Sequence, residues 1–209
     1  MQELSVQNIG TQQNRWGIKD VVTCVIFNIV IMIIMTTVSM GASMLFTPAV
    51  AYLAGPGIMA LLCGPLYIVM AGKISRRGVL FACATISVLF FLAMGLINML
   101  FLLGFGIIGE LAMIGKDSYR NWKRNAVGYS IFFAGFALCA VLPLIFFKQK
   151  MIEIYSASYT QEAMDTMFYY YETPSMIAVM VLVTLAGSVL GCLIGDKFLN
   201  RHIKKAKLI

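Results

Sequence analysis

Six long apolar runs separated by short polar segments set the pattern of this chain. A membrane-spanning helix needs roughly 20 mostly apolar residues, with a range of about 17–25. Five of the runs reach that length, and the fourth either starts a few residues earlier or lies beside a thinned or water-filled part of the membrane. The pattern predicts an all-α polytopic membrane protein, a six-transmembrane-helix bundle forming one domain over residues 1–209. The predicted helices cover approximately residues 21–42, 48–71, 79–98, 101–115, 125–147 and 173–195.

The cations lie almost entirely on one side of these predicted helices. With six crossings, alternate polar segments share a side, and 14 of the 16 Lys and Arg residues fall on the side that holds both termini. The other two are Lys148 and Lys150. Short loops rich in Lys and Arg stay cytoplasmic. We therefore predict an N-in/C-in topology, with a polar cytoplasmic N-terminus (1–18), a basic cytoplasmic tail (196–209) and an outside loop (148–172).

Composition narrows the class of protein. The chain is 60% hydrophobic and 12% charged, whereas soluble domains carry about 25% charged residues. The net charge of +7 comes without a nucleic-acid-binding motif, so topology and the anionic headgroups of the lipid bilayer explain it, and no nucleic-acid partner is expected. The five cysteines lie in predicted helices without a Cys-x-x-Cys pair, and we interpret them as small apolar residues rather than as a metal site.

Catalytic motifs are missing from the sequence. It contains no H-E-x-x-H pattern and no phosphate-binding glycine loop, and the single histidine, His202, lies in the basic tail. We therefore expect neither an enzyme nor a cofactor in this chain.

Glu110 is the exception among the apolar runs, because it is an ionisable side chain near the end of the fourth. Such a carboxylate is a functional candidate by default. A structural ion pair with Lys116 or Arg120 and a role in proton coupling are both open.

The outside segments suggest a binding surface. Gly and Pro interrupt the start of the second run, and irregular backbone at membrane depth must be buried in protein or line a cavity. In the loop 148–172, Ala163, Met164, Met167 and Phe168 have helical spacing. This spacing predicts a short amphipathic helix that either covers the bundle as a lid or rests on lipid headgroups.

Aromatic, thioether and polar side chains near this rim are candidate substrate-binding residues. Such surfaces suit a planar or apolar organic ligand, although the same residues also suit a lipid-facing aromatic belt. The candidates are Met40, Met44, Phe46, Met94, Asn98, Phe101, Tyr155, Tyr159, Tyr170 and Glu172.

Small residues recur every four positions in the last predicted helix, at Gly187, Gly191 and Gly195. This spacing places them on one helix face, where another helix can approach closely. Packing within the chain and contact with a partner subunit both fit. Thr23 and Cys24 in the first helix are further partner-contact candidates.

Several stretches together resemble one known family. The arrangement is similar to the substrate-binding S component of energy-coupling factor (ECF) transporters, and more closely to the MptD-type, or Trep_Strep, branch. The resemblance covers most of the chain from Lys19 onward. It rests on Lys19–Asp20, LAGPGIMALLCGPLYIVMAGKISRRGVLF, Gly106-x-x-Gly109–Glu110–Leu111 and the ending TLAGSVLGCLIGDKFLNRHIKKAKLI.

The resemblance implies a division of labour in a bacterial plasma membrane. An S component captures a small organic micronutrient from outside and topples in the membrane to deliver it, while a T component and two cytoplasmic ATPases use ATP and Mg. The Ala-x-x-x-Ala that family members often carry on helix 1 is missing here, so Thr23, Cys24 and the glycine stripe are the substitutes. A vitamin-like compound and haem or another tetrapyrrole are the candidate ligands. The alternative function is a membrane structural or assembly protein without a small-molecule ligand.

Overall fold

The computed structural model describes residues 15–45, 47–90, 96–115 and 119–203. Eight α-helices followed by one π-helical turn make up the regular structure of this described part. In chain order they are α1 (Ile18–Leu45), α2 (Pro48–Ile74), α3 (Val79–Phe90), α4 (Leu96–Ala112), α5 (Trp122–Leu138), α6 (Val141–Ser156), α7 (Gln161–Glu172), α8 (Pro174–Phe198) and the π-helical turn Leu199–Ile203.

Four helical stretches of the described chain are long and apolar enough to cross a membrane: Ile18–Gly41, Pro48–Ile74, Trp122–Ser156 and Pro174–Arg201. The third consists of α5 and α6. The prediction of an all-helical membrane protein is thus confirmed. α3 and α4 are shorter, with 12 and 17 residues, which at about 1.5 Å per residue gives roughly 18 and 26 Å against a hydrocarbon core of about 30 Å. The count of six crossings therefore stays a prediction.

Two predicted boundaries were wrong. α4 begins at Leu96, so residues 96–98 belong to it rather than to the preceding helix, and the short fourth run does start earlier. The fifth run, 125–147, is interrupted between α5 and α6 at residues 139 and 140. Pro143 accounts for the break, because proline has no N–H to donate and its ring clashes with the carbonyl four residues back; it lies here in the first turn of α6.

The predicted outside loop, 148–172, is mostly helical. α6 continues to Ser156 with a kink at Phe147 (φ −136°, ψ 40°), and α7 occupies Gln161–Glu172. The short link between them includes Thr160, whose hydroxyl accepts a hydrogen bond from the Ala163 N–H at 3.3 Å and so caps α7. The amphipathic helix predicted in this segment is confirmed.

Backbone-to-backbone packing joins α2 to α8. A Cβ atom added to Gly191 would lie 2.6 Å from the Leu61 carbonyl oxygen, and one added to Gly195 would lie 2.8 Å from the Pro65 Cα. Gly187 meets the backbone of Gly57 in the same way. Small residues permit this close approach. The glycine stripe is therefore covered within the chain, which favours internal packing of Gly187, Gly191 and Gly195 over their predicted contact with a partner subunit.

Six helix termini meet at one end of the bundle. The Trp16 indole N–H donates to the Arg77 carbonyl at 2.9 Å, and the Arg124 guanidinium donates to the Ile114 carbonyl at 3.2 Å. A Cβ atom on Gly72 would contact Leu199. We call this the basic end, because the described cations apart from Lys148 and Lys150 lie in or next to these termini. They are Arg15, Lys19, Lys73, Arg76, Arg77, Arg120, Lys123, Arg124, Lys197 and Arg201.

Candidate functional site

The opposite end of the bundle, which we call the α7 end, is covered by α7. The apolar face of this helix buries Met164 and Met167. These thioethers pack against Leu144, Met151 and Tyr155 of α6. Because thioethers are flexible and polarisable, this contact adapts readily to a change in the shape of its partner.

A buried polar pair lies next to this contact. Asn98, in the first turn of α4, is 3% exposed, and Tyr155, near the end of α6, is 9% exposed. The Asn98 amide lies within hydrogen-bonding reach of the Tyr155 hydroxyl. Both were predicted to bind substrate, and the structure brings them together with the neighbouring Ile97 packed against the methionines.

Tyrosine rings surround the pair. Tyr170 stacks on Tyr52 of α2 with 5.5 Å between ring centroids, and Tyr171 meets the same ring edge-on at 5.3 Å. Tyr159 makes an edge contact with Tyr155 at 5.9 Å. Burial raises the pKa of Tyr171 above its ordinary value, since a low dielectric disfavours the charged phenolate. The Tyr171 side chain is therefore neutral at physiological pH, and the tyrosine rings give the site an aromatic, weakly polar surface.

One ion pair lies on the rim of this surface. The Lys148 ammonium lies 2.6 Å from the Glu172 carboxylate, and 6.0 Å from the centre of the Phe168 ring. Both charged side chains are more than a third exposed, so the pair contributes little to stability. It joins the end of α7 to α6, and Glu172 thus lies at the edge of the candidate site rather than inside it.

The other predicted binding residues do not join the group. Phe101 stacks on Phe146 at 6.4 Å and packs against a different cluster of buried side chains from Tyr155, and Met40 is 61% exposed. The Met44 side chain, Phe46 and Met94 lie outside the described residues. Tyr52 was missed by the sequence analysis. Its position four residues after Pro48, at the start of the second apolar run, was the signal that could have found it.

Glu110 has a defined partner set at the basic end. Its carboxylate accepts hydrogen bonds from three backbone N–H groups around the start of α3: Gly78 at 2.7 Å, Leu80 at 3.0 Å and Phe81 at 3.2 Å. The Tyr119 hydroxyl donates to the same carboxylate. The first N–H groups of a helix have no partner within it, and a negative charge there also interacts favourably with the helix dipole.

Glu110 therefore caps α3 from a neighbouring helix. Arg120, one of its predicted partners, forms no ion pair with it in the described structure, and Lys116 lies outside the described residues. Burial and the nearby carboxylate raise the pKa of Tyr119 well above its ordinary value, because both disfavour the phenolate.

Comparison with known proteins gives one match. Residues 18–205 match the profile of Trep_Strep, described as a hypothetical bacterial integral membrane protein. The chain belongs to this family. No curated protein and no solved structure matches the chain. Family membership and the apolar helices together make this Trep_Strep protein an integral membrane protein of bacterial type.

The remaining partner-contact candidates of this Trep_Strep protein lie on α1. Thr23 is half-buried, whereas Cys24 is 2% exposed and packs inside the bundle. Cys24 therefore has no surface for a partner, which corrects that prediction. The outward side of α1 is apolar and exposed along its length, at Val21, Val22, Val25, Ile26, Ile29, Val30 and Ile33.

Proposed function

We propose that this Trep_Strep protein is the substrate-binding S component of an ECF-type importer. It captures a small organic micronutrient at the α7 end and delivers it inward together with a T component and two ATPases. The observation that carries the proposal is the buried Asn98 and Tyr155 pair under the aromatic and thioether cover of α7. Ligand sites are mostly apolar, with a few converging polar groups that fix orientation.

The placement of charge supports the direction of transport. The described cations apart from Lys148 and Lys150 lie at the basic end, and short segments rich in Lys and Arg stay cytoplasmic. In this orientation both termini are inside, and the α7 end faces outward, where a nutrient first meets the protein. The T component and the ATPases, with their ATP and Mg, act from the basic side.

The chemistry of the α7 end favours a ligand with a flat apolar body and a neutral polar group. Stacked tyrosines offer ring faces, while Asn98 and Tyr155 offer one amide and one hydroxyl. A vitamin-like compound or a tetrapyrrole fits this description. Because α7 covers the pair, it must shift before a ligand can reach it.

The apolar outer side of α1 is the surface that we propose for the T component. The glycine stripe is occupied by α2, and Thr23 lies on α1 beside the exposed apolar residues. For the alternative function, a structural or assembly protein, the glycine stripe is no longer a partner surface, because α2 occupies it.

Ligand retention tests the proposal. The chain is purified gently and analysed by native mass spectrometry, and candidate vitamins and tetrapyrroles are then screened by thermal shift. We expect one ligand to bind, and Tyr155→Phe and Asn98→Leu to weaken it at least 10-fold. Tyr169→Phe changes an exposed tyrosine of α7 that is not a candidate binding residue; it is the matched control and leaves binding unchanged.

A second test of the proposal measures uptake in cells that contain a T component and two ATPases. ATP-dependent accumulation of the retained ligand supports the proposal. A purified chain that carries no small molecule, shifts with no candidate and drives no uptake rules it out and favours the structural alternative.

A further inference from the structure

Three sulfur atoms converge on one buried amide near the basic end. The Asn28 amide nitrogen lies 3.4 Å from the Cys24 Sγ, 3.4 Å from the Cys83 Sγ and 3.7 Å from the Met70 Sδ. It also donates to the Cys24 carbonyl at 2.8 Å. These residues come from α1, α2 and α3, and each is at most 4% exposed. We call them the sulfur cluster.

The number of hydrogen-bond acceptors in the sulfur cluster exceeds the number of donors. The Asn28 amide has two N–H groups, yet four acceptors surround its nitrogen. Its Oδ1 atom, although buried, has no hydrogen-bond partner among the described residues. Buried polar atoms are normally satisfied. The Asn28 amide is therefore surrounded by more acceptors than its two N–H groups can serve.

The other buried cysteines differ from this pair. The Cys24 and Cys83 sulfurs each lie 3.4 Å from the same Asn28 amide nitrogen. By contrast, Cys139 donates to the Phe136 carbonyl of its own helix at 2.9 Å, and the Cys63 thiol faces the Ile31 carbonyl at 3.9 Å. Among the described contacts, the sulfur cluster is thus the place where two thiols and a thioether surround the same atom, the Asn28 amide nitrogen.

A groove connects the sulfur cluster to the surface. It lies between α1 and α3 with a volume of about 380 Å³, and it is almost wholly apolar. Cys24 forms part of its wall, and Trp16 and Gly78 lie where it reaches the basic end. Cys24 is therefore the member of the sulfur cluster that borders the groove.

We propose that the sulfur cluster is a binding site for a soft monovalent cation, Cu(I), with Cys24, Cys83 and Met70 as its ligands. Thiolate and thioether ligands select Cu(I). A structural zinc site requires four Cys, His or carboxylate ligands, whereas no group of three His, Cys, Asp or Glu in the described chain can hold a metal. The third ligand here is the thioether.

Binding exchanges protons for metal without electron transfer. Cu(I) forms two bonds to the thiolates of Cys24 and Cys83 and one dative bond to the Met70 sulfur, and the two thiol protons leave to solvent. The product carries one net negative charge. Asn28 offsets that charge, because its N–H groups donate to the thiolates, and such supporting donors raise metal affinity by about 10–100-fold.

Anaerobic titration of the purified, reduced chain with Cu(I) against a chromophoric chelator tests the proposal. We expect one equivalent to bind the wild type, and Cys83→Ser and Cys24→Ser to lose it. Cys63→Ser and Cys192→Ser change buried cysteines outside the cluster, and these controls keep full binding. Met70→Leu, a volume-conserving change, removes one of the three ligands and weakens binding.

X-ray absorption of the copper-loaded wild type gives an answer that does not depend on whether the variants fold. Three sulfur neighbours at roughly 2.3 Å, as in other metal–thiolate bonds, support the site. Nitrogen or oxygen neighbours, no saturable binding, or equal binding by the wild type and Cys83→Ser overturn it. The site is independent of the proposed transport function, because transport is read at the α7 end and copper at the basic end.

Discussion

Removal of the Glu110 carboxylate is expected to loosen the start of α3. The carboxylate accepts three backbone hydrogen bonds, from Gly78, Leu80 and Phe81, and a fourth from the Tyr119 hydroxyl. Loss of an N-cap costs about 0.5–2 kcal/mol, and a hydrogen bond to a charged group contributes about 1.5–3 kcal/mol. Glu110 is only half-buried, so water replaces part of what is lost.

For Glu110→Ala we expect a loss of about 3 kcal/mol in the free energy of unfolding. This value lies in the lower part of the sum of the N-cap and charged hydrogen-bond ranges, because water replaces some of the lost contacts. Glu110→Gln keeps one acceptor oxygen and loses the charge, so about half of that is lost, ~1.5 kcal/mol. For a domain of 150–250 residues, 1 kcal/mol lowers the Tm by about 2–4 °C, which gives roughly 6–12 °C for Ala and 3–6 °C for Gln.

The assay is thermal unfolding of the purified chain in detergent, followed by the fluorescence of a thiol-reactive dye that reports exposure of the buried cysteines. Glu162→Ala and Glu162→Gln are the matched controls, because Glu162 is an exposed carboxylate on α7. They are expected to unfold within about 1 °C of the wild type, as surface changes do. Equal unfolding temperatures for the Glu110 and Glu162 variants would refute the capping role.

Three further predictions concern the interior and the basic end. Gly191→Ala should destabilise the chain by about 1–3 kcal/mol through overpacking, because the new Cβ lies 2.8 Å from the Ala60 carbonyl oxygen. Gly104→Ala is the control, because its new Cβ has no neighbouring atom within 4 Å, and this variant should unfold as the wild type does. Tyr129→Phe should cost about 1–2 kcal/mol in urea unfolding, since the buried hydroxyl donates to the same Ala60 carbonyl at 2.8 Å; an unchanged midpoint contradicts this. The raised pKa of Tyr119 means that above pH 10 the unfolded chain releases a proton that the folded chain retains, so the stability contributed below pH 10 is lost as pH rises. Tyr119→Phe should flatten this alkaline decline, and identical pH profiles for the variant and the wild type contradict it.

Patterns local in sequence were predictable, and contacts between distant segments were not. Apolar run length identified the membrane helices, and the spacing of Met164 and Met167 identified α7, because both signals depend on neighbouring residues. Glu110 was recognised as unusual, yet its partners are backbone N–H groups some 30 residues earlier, which have no sequence signature.

The glycine stripe is a second case in which the sequence predicts a contact but not the partner in that contact. Its spacing predicts close packing, but the identity of the partner depends on the arrangement of all the helices, and that partner proved to be α2. At the α7 end, Asn98 and Tyr155 were both identified as candidates. Their direct contact was not, because it joins the start of one helix to the end of another.

The junction between α7 and α8 consists of one residue, Thr173, which is the C-cap of the first helix and the N-cap of the second. Its φ of −86° and ψ of 114° lie in the extended region that the residue before a proline prefers, and Pro174 follows. Because α8 is clasped to α2 along its glycines, its axis is a fixed reference for the bundle. The angle between α7 and that axis is therefore set locally by the Thr173-Pro174 dipeptide. Displacement of α7 requires a change in the backbone angles of this restricted junction, because no flexible loop separates the two helices.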